Sequence, residues 1–385
     1  MKPYTPVCGS SAMRGFSLIE LMTALTIGML LLMGLASVFV NTSQSYRELK
    51  KTSEQIENGR YAIELLSQDV RHAGFYGEFA KLPAAPASLP DPCSAPSDAL
   101  VTDTVNNFLA LPVQVYPAGS LTTRPSVPTA CAALLPNANL MPGSDIVVVR
   151  RADTNAVSGT VTGNVYYLQA TSSTADLQLG SAGAITNLQN ARRQASTLVR
   201  RDLSVAATGV PAQFPQIAAA IRLYRTHIYF VAPCSVPAGG VVSSVCTGNA
   251  DDQGKPIPTL KRLELGAGGL FSIVPLTEGI EALRFEAGLD TAPGVVDPGT
   301  GFIGDGNPDS YSHSTTLTAT DMTNLVAARI YVLARNTETT TGYVDDKAYT
   351  MGTVTTAATG DAYRRHVYGT ETRIANQAGR REIPR

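Results

Sequence analysis

Residues 16 to 40 read FSLIELMTALTIGMLLLMGLASVFV, an apolar run whose single charge is Glu20. A bilayer core needs about 20 apolar residues as a helix, so this run is long enough to span one. No proline occurs between Pro6 and Pro83, and nothing forces a break. Beyond residue 40 the pattern becomes one-sided. Leu49, Ile56, Ile63 and Val70 recur at heptad spacing, with Tyr46 and Leu66 near the same face. The spacing predicts one helix from Phe16 to His72, ending near Gly74. Its first half, 16–40, is apolar all round, and its second half, 41–77, is amphipathic.

The pattern changes again after residue 77. Residues 81–144 are dominated by proline, alanine, serine and threonine, and they contain Cys93 and Cys131. An irregular connection stapled by a disulfide is expected there. Strand-like runs follow at Asp145–Arg151, Val165–Leu168, Ile221–Val231, Leu260–Leu265, Ile280–Ala287, Val326–Ala334 and Tyr363–Ile374. Turn residues separate them, and helical periods are few. The expected fold is α+β: one long N-terminal helix packed on a β-rich, mainly antiparallel head over 78–385.

Composition narrows the class. The chain has 385 residues, 44% apolar and 16% charged, with a net charge of −1. Such a chain folds rather than staying disordered, and it lacks the basic surplus that broad nucleic-acid binding needs. A secretory signal peptide would need a shorter apolar run and a small-residue cleavage site after it; no A-x-A site follows Val40. A cut after Gly15 would remove Cys8 and leave Cys93, Cys131, Cys234 and Cys246. An even set fits an oxidising compartment. Four cysteines allow three pairings; Cys93 with Cys131 and Cys234 with Cys246 is favoured, because each closes a loop within one segment. A carboxylate at Glu20 inside an apolar run is costly unless paired, and its own helix places no cation at i+3 or i+4. An intermolecular partner is expected, and a new α-amino group at Phe16 would suit. Lys2 and Arg14 flank the run, which puts residues 1–15 on the cytoplasmic side.

The run Arg14-Gly15-Phe16-Ser17-Leu18-Ile19-Glu20-Leu21-Met22 resembles the prepilin signal of type IV pilins and type II secretion pseudopilins. The resemblance implies that a prepilin peptidase removes the 1–15 leader between Gly15 and Phe16 and methylates the Phe16 amine. It also implies that Glu20 neutralises the amine of a neighbouring subunit during assembly. Glu57-Asn58-Gly59-Arg60-Tyr61-Ala62 and the stretch Leu65 to Gly77, with Asp69 and Arg71 inside it, are similar to the helix end of the PilW family of minor pilins. J-type pseudopilins share a looser version. Leu325–Arg335 and Arg364–Asn376 resemble the C-terminal part of PilW proteins. Membership of that family would imply membrane insertion and packing with major and other minor pilins through the N-terminal helix. It would also imply contact with an inner-membrane assembly platform and a PilY-type tip adhesin, with no cofactor.

Other candidate chemistry is sparse. Asp305, Asn307 and Asp309 offer oxygen ligands at alternate positions, after Asp290 and Asp297, but no twelfth-position glutamate follows and Pro308 breaks the calcium-loop pattern. A solvated turn is the simpler reading. Arg364, Arg365, Arg380 and Arg381 form basic patches near Tyr363 and Tyr368, read as solvated strand and tail charges. Asp69 and Arg71 taken alone read as a solvated helix face. No metal or nucleophile motif occurs, so no enzymatic activity is expected.

Overall fold

The computed structural model describes residues 15–79, 83–96, 108–157, 160–161, 163–172, 175–180, 183–184, 199–201, 216–240, 245–291 and 304–382. Most of the leader, Asp297 and parts of 81–144 lie outside them. The chain divides into two compact units, Met1–Ser53 and Glu54–Arg385. Helix α1, Leu18–His72, supplies most of the described part of the first unit and the opening element of the second.

In the first unit α1 is exposed along almost its whole length. An 18-residue stretch has a mean hydropathy of 2.2, and none of it is buried. By length and composition this helix can cross a membrane. Burial of that surface, about 25 cal/mol per Å² of apolar area, must come from lipid or from other chains.

The second unit is built on two antiparallel sheets. The first has the order β1 (Val113–Tyr116), β2 (Ile146–Ala156), β5 (Ile221–Ala232), β6 (Thr259–Leu265), β7 (Phe271–Glu278). Strand β3 (Tyr166–Ala170) pairs with the start of β5 and with β4 (Ala175–Leu179). The second sheet has the order β9 (Ser310–Ser312), β8 (Ile280–Leu289), β10 (Leu325–Arg335), β13 (Arg365–Arg373). The described residues also form a small hairpin, β11 (Tyr349–Met351) and β12 (Val354–Thr356), two very short strand pairs at 160–161 with 183–184 and 199–201 with 216–218, and two short helices, α2 (Ala319–Thr323) and α3 (Ala375–Arg381).

Both faces of the first sheet are covered, which explains why the last part of β5, residues 228–232, is continuously apolar. Val147, Val149, Tyr229 and Val231 face the core shared with α1 and the second sheet, and Ile146, Val148, Ile228 and Phe230 face the opposite layer. That layer contains the disulfides Cys93–Cys131 and Cys234–Cys246. The described parts of 81–144 therefore belong to a covering layer, and they also contribute β1 to the sheet. The second sheet turns Leu283, Phe285, Ile330 and Val332 toward α1.

The face α1 buries keeps Leu66 and Val70 from the expected stripe and departs from it nearer the N-terminus. The buried positions are Gln55, Gly59, Ala62, Leu66, Asp69 and Val70. Leu49 is 70% exposed and Tyr46 71%, and Ile56 is also exposed. Small residues let the helix sit close to the sheet. A Cβ on Gly59 would lie 2.2 Å from the Tyr368 ring, and the Gln55 amide donates to Ala334 O and Arg364 O. The heptad pattern overlooked glycine, alanine and paired polar residues as seam formers.

The end of α1 is closed by the far end of the chain. Gly74 takes a positive φ of 72°, as helix-terminating glycines do. Orphan carbonyls at a helix end need donors. Asn376 Nδ2 donates to Ala73 O at 3.1 Å, and Arg380 Nη2 donates to Gly74 O at 2.9 Å and Phe79 O at 3.0 Å. Arg381 is buried and donates to Asp290 O and Thr323 O. Arg365 is buried among Glu281, Asp345 and Asp361, and the Arg364 guanidinium stacks on Tyr343. The basic residues read from sequence as solvated charges are thus largely structural.

Candidate assembly site

The start of α1 carries the densest chemistry. Ser17-Leu18-Ile19-Glu20 is a capping-box sequence, in which the third helical residue reaches back to the N-cap N–H. The Ser17 N–H donates to Glu20 Oε2 at 3.0 Å, and Leu21 N–H closes the first turn on Ser17 O at 3.1 Å. A carboxylate here also complements the positive end of the helix dipole. Glu20 therefore has a partner within its own chain that counting cations did not reveal; the S-x-x-E spacing was the available signal. A carboxylate has about four acceptor sites, so this bond leaves capacity for an ammonium group. Phe16 is 89% exposed and precedes the helix in non-helical backbone. A Cβ added to Gly15 would meet nothing within 4 Å. The geometry offers an accessible peptide bond at Gly15–Phe16 and, four residues on, an oriented carboxylate.

The second unit holds a different cluster. Asp69 is buried rather than solvated. Its carboxylate accepts from Arg151 Nε at 2.7 Å and from the Tyr229 hydroxyl at 2.8 Å, and it lies 2.6 Å from His227 Nδ1. Burial opposes its ionisation, yet His227 and then Arg151 hold it well below the usual carboxylate range. Burial, then the Asp69 charge, pushes the Tyr229 hydroxyl well above its ordinary value. Asp69, Arg151 and Tyr229 line a cleft of about 520 Å³ together with Glu64, His72 and Arg262. The network ties α1 to β2 and β5. Arg71, by contrast, is exposed.

The candidate calcium residues engage backbone instead of converging. Asp305 Oδ1 accepts from Asn307 N–H at 2.9 Å and Asp309 Oδ2 from Thr291 N–H at 2.7 Å. The turn bonds to its own Asn307 hold Asp305 below its ordinary value. Sulfur-containing groupings with Asp91 and Asp251 involve the four disulfide cysteines, whose sulfurs are already committed to each other.

A single apolar anchor helix followed by an antiparallel β head is the layout of a type IV pilin-like protein. Comparison with known families narrows this. The model for type IV pilus-assembly protein W (PilW) matches residues 245–376, and that for the prokaryotic N-terminal methylation motif matches residues 10–36. The two matches are consistent with a PilW-family minor pilin and support a type IV pilus-related role. The methylation match spans Gly15, Phe16 and Glu20. The PilW match takes in β6 through β13, where the sequence resemblance lay on β10 and β13, and it leaves out residues 57–77. No curated protein and no solved structure matches the chain.

Proposed function

We propose that the chain is a PilW-type minor pilin of a Gram-negative type IV pilus, with a non-catalytic role in priming filament assembly. The observation that carries this reading is the capped, exposed start of α1, where Gly15, Phe16 and Glu20 lie within the methylation match. In this reading a prepilin peptidase removes 1–15 and methylates Phe16. Glu20 keeps its Ser17 bond and adds the amine of a neighbouring subunit. Residues 16–40 hold the chain in the inner membrane and later in the filament core, 41–77 carry the helix into the head, and 78–385 fold in the periplasm. The bulky head suits a place at the pilus tip, beside other minor pilins and a PilY-type adhesin, better than a repeating shaft position. Adhesion, twitching and any part in DNA uptake follow from that place.

The test is complementation of a deletion strain, read by pilus counts and twitching. Wild type restores both. Gly15→Ala leaves an unprocessed precursor, because the added methyl is sterically free within this chain and its effect falls on the peptidase. Glu20→Gln keeps the Ser17 acceptor and loses only the charge, so it is processed but assembles poorly. The methylation motif and the helix-end motif also fit a J-type pseudopilin of type II secretion. Normal pili and motility, with a secreted enzyme held in the periplasm, would establish that reading instead.

A further inference from the structure

The two disulfides share the layer that covers the first sheet, but their charged neighbours differ in sign. Lys261 lies on β6 two residues before Leu263, which packs into that layer. It is fully buried, and its Nζ lies 4.0 Å from both Cys234 Sγ and Cys246 Sγ. Among the described residues these sulfurs are its hydrogen-bond contacts. Asp251 and Asp252 are close enough to attract the ammonium, and Asp251 has an oxygen within 4.8 Å of each sulfur. Both carboxylates are engaged elsewhere. Asp251 accepts from Ala238, Thr247 and Gly248 N–H, and Asp252 from Ser235, Val236 and Ile257 N–H. The other disulfide faces an anion: Asp91 Oδ1 lies 3.5 Å from Cys131 Sγ, and the same carboxylate accepts from Cys93 and Ala130 N–H.

A disulfide is uncharged, so this contrast acts on the reduced state. An ammonium stabilises a neighbouring thiolate, and a carboxylate disfavours one. A stabilised reduced form makes a disulfide easier to reduce. We propose that Cys234–Cys246 is a thiol–disulfide exchange site for a dithiol, with Lys261 stabilising the leaving thiolate, and that Cys93–Cys131 is the fixed cross-link. A thiolate of the dithiol attacks one sulfur, the S–S bond breaks, and the other sulfur leaves as a thiolate beside Lys261. The second sulfur of the dithiol then attacks the mixed disulfide and closes the reagent's own S–S bond. The released cysteine sulfur takes a proton. Two electrons pass from the dithiol to the cysteine pair; of its two protons, one ends on cysteine and one goes to solvent. Burial pulls the Lys261 pKa down to about 8, so at pH 7 it keeps its own proton.

Exposure alone predicts the reverse order of reduction, since Cys93 is 8% exposed while Cys234 and Cys246 are 0% and 2%. Residues 247–250, next to Cys246, are exposed, and exchange proceeds through opening of that turn. Loop length acts in the same direction as Lys261, because a separation of 12 residues constrains the unfolded chain less than one of 38. Replacing Lys261 separates those two causes. The inference does not depend on the pilin reading.

The test equilibrates the full chain, in detergent micelles at pH 7, with mixtures of reduced and oxidised dithiothreitol. Each cysteine is then alkylated and read by mass spectrometry. Cys234–Cys246 is half reduced at a reduced-to-oxidised ratio at least tenfold below that of Cys93–Cys131. Lys261→Met raises the ratio it needs at least tenfold, about 30 mV for a two-electron couple, and leaves Cys93–Cys131 within about twofold. Lys261→Gln serves should Lys261→Met fail to fold. From pH 6 to 7 the wild-type ratio for Cys234–Cys246 falls at least threefold, because reduction releases a proton; in Lys261→Met it stays level. Reduction in the reverse order, equal midpoints, a Cys234–Cys246 midpoint indifferent to both Lys261 variants, or one that does not move with pH overturns the proposal. So does reduction of both pairs in a single step with loss of near-ultraviolet circular dichroism, which would tie the chemistry to unfolding.

Discussion

Asp69 joins α1 to two strands of the head through three side-chain partners. Removing its charge leaves the buried His227 without its carboxylate and Arg151 with Asp153 alone; breaking a buried pair costs about 3–5 kcal/mol. Asp69→Asn is expected to lower the unfolding free energy by roughly that amount in urea titrations, without changing the fold. The pH dependence follows from the lowered pKa. Its folded value lies below the unfolded one, so the unfolded state binds more protons as pH falls. The contribution is complete above the ordinary carboxylate value of about 3.9 and is lost below it; Asp69→Asn flattens that acid limb. Lys261 shows the opposite case. It is fully buried, with both Cys234 and Cys246 sulfurs 4.0 Å from Nζ, and burial pulls its pKa down from 10.5 to about 8. The unfolded chain binds the extra proton between those values, so stability rises as pH climbs from about 8 toward 10.5. Lys261→Met removes that rise and stabilises the head at pH 7 by on the order of 1 kcal/mol, measurable as a higher Tm. Neither residue announced its role in the sequence. Asp69 resembled any exposed helical acid, because its partners lie 82 to 160 positions away. Glu20 was legible as a lone carboxylate in an apolar run, but its bond to Ser17 was missed although the S-x-x-E spacing that signals it is local.

At the scale of elements, period and length carried most of the information. The helix end at His72 and all seven strand runs could be read from alternation and flanking turn residues, and each run shifts by only a few residues in the structure. β1, β4 and β7 were not legible. They are short, or interrupted by Pro275, and their burial depends on partners far along the chain. The helix seam was misread because heptad counting weighs large side chains, whereas this seam is built on Gly59 and Ala62. Gly59→Ala drives a methyl into the Tyr368 ring, and overpacking of this kind costs about 1–3 kcal/mol. Tyr368→Leu should recover part of that loss, so a double-mutant cycle in urea should show a non-additive pair. Arg380→Ala leaves Gly74 O and Phe79 O without their donor. Hydrogen bonds to charged groups contribute about 1.5–3 kcal/mol; a loss near the lower end is expected for this half-buried site, read as a lower Tm.

For the whole molecule, the disulfides close separations of 38 and 12 residues in the layer that covers the first sheet. Cross-links of this size typically contribute about 2–4 kcal/mol each. Reduction under native conditions should therefore lower the head's Tm by several degrees, more than Ser replacement at any one exposed site. A chain that meets an oxidising compartment only after export gains that stability late. The same timing governs the end of α1. Its last carbonyls lie near residue 73, and the groups that satisfy them, Asn376 and Arg380, sit about 300 residues later. On the proposed reading, in which α1 anchors the chain and the head is exported, the helix is made and inserted first, yet its terminus is finished only when the final stretch has crossed the membrane. On that reading a subunit stalled partway presents a frayed helix end, and only a fully delivered one offers the closed head.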